Sequence, residues 1–109
     1  MKTDAPPIAM AELVRVCANG DRVPIVVEIG QPYQTSEGSW RTPVALHGLD
    51  GRSPDIYGDD SLQSLCLAVR LVRQRLSSII EDGDRLLDPA GDEFPFAAYF
   101  PAHRMLDMQ

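Results

Sequence analysis

Between residues 55 and 83 the chain reads "DIYGDDSLQSLCLAVRLVRQRLSSIIEDG", a run that leaves little choice of local structure. Asp60 is a strong helix N-cap, and Gln63 three residues later makes a capping-box-like pair with it. Asp59 and Asp60 also stand where the positive end of a helix dipole favours acids. Gly83 supplies the stop. The spacing predicts one helix from about 61 to 82, roughly 33 Å long. At about 100° per residue, Leu62, Leu65, Cys66, Val69, Val72, Leu76, Ile79 and Ile80 fall within one arc, so the helix needs an apolar surface to lie on. Cys66, inside that arc, is expected to behave as a small buried hydrophobe. Leu67 and Leu71 form a second, i,i+4 pair outside the arc and need a cover of their own.

The preceding residues supply the surface. "ELVRVCA" (12–18) and "VPIVVEIG" (23–30) alternate as strands. "NGDR" between them signals a hairpin, because Asn-Gly suits a tight turn with positive φ at both central positions. Pro24 belongs at a strand start or a free edge. "QPYQTSEGS" (31–39) reads as a polar loop. "WRTPVALHG" (40–48) reads as a third strand whose Pro43 implies an edge or a bulge, and "IYG" (56–58) as a short fourth. The expected fold is α+β: an antiparallel sheet of three to four strands with one long helix packed on one face. The expected division is a flexible N-terminal arm over 1–11, an α+β domain over 12–83, and an acidic and aromatic C-terminal segment over 84–109 that packs on the domain or on a partner.

That last segment is the richest in candidate binding residues. Four of the seven aromatic side chains, Phe94, Phe96, Tyr99 and Phe100, fall within seven residues. Aromatic anchors dominate the energetics of many interfaces, and this cluster either covers Leu67 and Leu71 or reaches a partner. Asp84, Asp88, Asp92 and Glu93, with Glu81 and Asp82 before them, are offset locally only by Arg85. They suit a landing patch for a basic partner. The acids lack the D-x-D-x-D-G pattern of a calcium loop, so no metal site is expected.

Other chemistries leave little trace. The net charge of −6 argues against nucleic acid as a direct ligand. No apolar run approaches the roughly 20 residues that span a bilayer. Cys17 and Cys66 are far apart and outside any C-x-x-C, which suits two reduced cysteines in the cytoplasm. No catalytic motif occurs and no cofactor is implied. The one alternative constellation is His47 with Asp50 or Asp55; His103 is the only other histidine.

Gly30-x-Pro32, Trp40, Gly48 and Gly58-x-Asp60-Ser61-Leu62-Gln63-x-Leu65 resemble the pattern of a family of small uncharacterised bacterial proteins, a domain of unknown function, over roughly residues 12 to 80. The resemblance implies the same sheet-plus-helix architecture and brings no catalytic residue with it. Size, acidity and the aromatic cluster together point to a non-enzymatic protein-binding module. Its concrete form would be a small immunity protein that occludes a bacterial toxin in the cytoplasm, a basic toxin domain suiting the acidic patch. A homodimer of structural or regulatory role is the alternative, and a small enzyme or ligand-binding domain using His47 is a second.

Overall fold

The computed structural model describes residues 5–49 and 51–101. The elements in chain order are β1 (Ala9–Val16), β2 (Arg22–Ile29), β3 (Tyr33–Gln34), β4 (Trp40–Thr42), β5 (Val44–His47), β6 (Gly51–Arg52) and β7 (Ile56–Gly58). These are followed by α1 (Ser61–Glu81), β8 (Arg85–Leu87) and the single turn α2 (Phe96–Tyr99). Two antiparallel sheets form, not one: β6-β5-β2-β1-β8 and β3-β4-β7. The helix lies against strands of both.

The extra sheet comes from Pro43. Residues 40–47, read as one strand, are two: β4 pairs with β3 and β7, whereas β5 pairs with β2 and β6. Proline has no amide proton to continue a ladder. Its carbonyl instead accepts from the Gly30 amide at 2.8 Å. A Cβ on Gly30 would stand 2.9 Å from the Pro43 ring, so the crossing chains approach this closely only with glycine there. Part of the expected polar loop is therefore strand β3, and "IYG" joins the smaller sheet.

The hairpin of β1 and β2 runs in register from Ala9↔Ile29 to Val16↔Arg22. β1 thus begins within the stretch read as an arm. At the turn only Gly20 has positive φ, at 93°. The Cys17 amide donates to the Asp21 carbonyl and the Gly20 amide to Cys17, both at 2.8 Å. This is a three-residue loop ending in a left-handed glycine. Asn19 serves through its side chain, whose Oδ1 accepts from the Asp21 amide at 2.9 Å.

The helix starts as its sequence requires. Asp60 Oδ1 accepts from the Gln63 amide, and Gln63 Oε1 accepts from the Asp59 amide, both at 2.7 Å. Its buried face, however, is Ser64, Ala68, Val72, Leu76 and Ile79. That is a rotation of about 60° from the arc of large apolar residues, at 100° per residue. Leu62, Cys66, Val69 and Ile80 are exposed as a result. The cause is close packing at the helix start: a Cβ on Gly58 would collide with the backbone of Ser64. Ser64 Oγ donates to the Ile56 carbonyl at 2.7 Å and takes the Thr42 hydroxyl at 2.7 Å, with both residues fully buried. Over the first two turns small residues, Ser64 and Ala68, mark the contact line, and Val72, Leu76 and Ile79 continue it. Below it Leu13, Ile25, Val27, Ile29, Val44 and Leu46 form the sheet side of the core.

Candidate docking groove

After β8 the chain reverses through residues 88–92. Asp88 Oδ1 accepts from the amides of Ala90 at 2.9 Å and Asp92 at 3.0 Å, and Gly91 takes a φ of 94°. Leu87 then bridges Glu93, and the Phe94 amide donates to Leu86 at 2.9 Å. This return delivers the aromatic cluster to the domain. Phe94 enters the core, Phe96 and Phe100 pack half-buried against it, and Tyr99 stays 56% exposed. The rings of Phe94 and Tyr99 lie 4.6 Å apart and those of Phe96 and Phe100 5.1 Å, within the range of favourable aromatic pairs.

Between these rings and the helix runs a groove of about 220 Å³. Its floor is the inner face of β1 and β2, where Ala9 and Ala11 leave room that larger side chains would fill. One wall is Val69, Val72 and Leu76; the other is Phe94, Tyr99 and Phe100. Exposed Met10 stands at its rim, 54% accessible. Among the described residues the Tyr99 hydroxyl is the one polar side-chain group that lines it, so the groove suits recognition of an apolar side chain.

The remaining expected site residues divide. Asp84 accepts from Arg15 Nε at 2.7 Å, and this hydrogen bond holds the guanidinium pKa above its ordinary value. Glu93 meets Arg85 at 3.2 Å in an exposed pair, of a kind that contributes little to stability. Asp88 is occupied by its turn. Of the four expected patch acids, Asp92 alone has a carboxylate without a partner among the described residues. Leu71 packs half-buried against the core and Leu67 is partly exposed. Neither lines the groove, which lies across the helix at Val69. The aromatic cluster therefore covers a different helix face from the one its leucines suggested. Val69, Ala9 and Ala11 were missed by sequence reasoning, and the one available signal was the pair of alanines flanking Met10.

Of the alternative constellation, the pairing of His47 with Asp55 does not form. His47 Nε2 lies 3.1 Å from Glu28 Oε1 on the exposed sheet face. Asp55 is held elsewhere, by the Tyr33 hydroxyl at 2.5 Å and Arg52 at 3.2 Å. Asp50, His103 and the first four residues of the expected arm lie outside the described residues. Among the described residues no His, Cys, Asp and Glu side chains gather as a metal site, and no helix is long and apolar enough to cross a membrane.

Residues 12–97 match a domain of unknown function, DUF6968. The chain belongs to the DUF6968 family. No curated protein and no solved structure matches it. The match extends beyond residue 80 to take in β8, the acidic turn, Phe94 and Phe96. In this DUF6968 chain the residues that carried the resemblance serve architecture. Gly30 allows the Pro43 crossing, and Gly58 seats the helix. A Cβ on Gly48, at φ 87°, would collide with the Pro24 carbonyl. Asp60 and Gln63 cap the helix.

Proposed function

We propose that this DUF6968 protein is a non-enzymatic protein-binding module whose partner is a basic protein domain. In its most specific form it is a bacterial immunity protein that occludes a toxin in the cytoplasm. The observation that carries the reading is the groove beside Tyr99: an apolar cleft walled by aromatic side chains, in which the Tyr99 hydroxyl is the one polar side-chain group among the described residues. Exposed aromatic edges beside such clefts are the usual anchors of interfaces. A net charge of −6 favours a basic partner by speeding encounter and penalising acidic competitors.

The test is to mix the protein with the basic protein encoded beside its gene and measure complex formation by calorimetry. A one-to-one complex is expected, weakened at least tenfold by Tyr99→Ala with Tm little changed, because Tyr99 is mostly exposed. Absence of binding, together with absence of protection in cells expressing that neighbour, would overturn the reading.

A further inference from the structure

β1 is eight residues long, but among the described residues it is paired on the side away from β2 only at Val14, Arg15 and Val16. In that register Glu12 would face Pro89, which has no amide proton to give, so β8 stops at Leu87. The Cys17 amide points to Asp21 across the hairpin. By strand alternation the odd residues of β1 therefore bond to β2, and the even ones direct their N–H and C=O groups to the opposite edge. Val14 and Val16 find β8 there. Met10 and Glu12 find no strand there among the described residues, and their backbone groups open onto the line along which β8 would have continued. Side chains alternate as well: Ala11 and Leu13 face the groove, whereas Glu12 faces the other side of the sheet and Met10 meets the groove only at its rim.

From this we infer that the groove and the open edge of β1 are one site, which takes an extended segment of a partner as an added strand in line with β8. The inference rests on the protein-binding reading above and specifies its chemistry. The added strand exchanges backbone hydrogen bonds with Met10 and Glu12, as in other strand-addition complexes. Its residue opposite Ala11 enters the groove and is apolar. Its residue opposite Glu12 lies on the other face and is lysine or arginine, since opposite charges facing across strands are favoured. The occupant is thus a segment alternating basic and apolar side chains. A second copy of this chain fits less well: it would bring two Glu12 carboxylates to one short edge and two chains of charge −6 together.

The experiment is selection of a phage-displayed library of random nine-residue segments against the full chain. It is followed by affinity measurement of the enriched peptides on the wild type, Met10→Pro and Leu67→Ser. Met10→Pro removes an edge donor that β2 does not use. The expected result is enrichment of alternating basic and apolar residues, with binding weakened at least tenfold by Met10→Pro and unchanged by Leu67→Ser. Protection of the Met10 and Glu12 amides from hydrogen exchange on peptide binding provides a second readout, independent of whether Met10→Pro folds. No enrichment, enriched peptides that leave those amides unprotected, or a dimer whose contact protects them without peptide would each overturn the inference. If the neighbouring basic protein binds and Tyr99→Ala weakens it while these amides stay unprotected, the protein-binding reading stands and strand addition fails.

Discussion

Tyr33 shows how one side chain ties a short strand to a distant loop. Its hydroxyl donates to Asp55, which also receives Arg52, so the smaller sheet is fastened beside β6. The hydrogen bond to Asp55, and then burial, hold the phenol above its ordinary value of 10.0. A phenol whose folded pKa exceeds its unfolded one adds stability that is complete below pH 10 and disappears as pH rises through the folded value. Urea unfolding followed from pH 8 to 11.5 should therefore show a decline beginning near pH 10. Tyr33→Phe should be less stable at pH 8 by about 1 kcal/mol and should flatten the alkaline decline. A smaller slope persists in that variant, because Tyr57 shifts the same way through its bond to Asp59.

At the scale of elements, the seating of α1 on β7 depends on Gly58. Its φ is ordinary, so the requirement is space, not conformation. Gly58→Ala should cost about 2–3 kcal/mol by forcing the first helical turn off the sheet, and thermal unfolding should show Tm lower by roughly 10 °C or more. A change under 2 °C would mean that the helix start tolerates displacement. The same junction explains what the sequence disclosed. The helix was legible because Asp60, Gln63 and Gly83 are local signals, and the hairpin because its turn is. The rotation of the buried face was not, since Ser64 and Ala68 give a periodicity search nothing to count. The division into two sheets was hidden for a related reason: Pro43 reads as an edge or a bulge within one strand until the position of Gly30 is known. The aromatic half of the groove was legible in composition. Its floor was not, because alanines mark a cavity only once a wall stands beside them.

For the whole molecule, sixteen acids against ten lysines and arginines set a long-range field that no single contact reveals. Association with a basic partner should slow at least tenfold between 50 and 500 mM NaCl, while dissociation changes much less, because screening acts on encounter more than on desolvated contacts. Stopped-flow measurement of both rates checks this, and equal rates at the two salt concentrations would place the partner's recognition in apolar contacts alone.

The pairing of β1 with β8 joins residues about 70 positions apart, pinned by Arg15 and Asp84. A ribosome adding roughly 5–20 residues per second needs about 4–14 s to produce the second strand after the first. Throughout that interval the whole outer edge of β1 is exposed on the nascent chain, together with the apolar face that Phe94 will later close. Synthesis therefore passes through a stage whose edge is longer than that of the finished protein, and chaperone capture or mispairing should concentrate in that window.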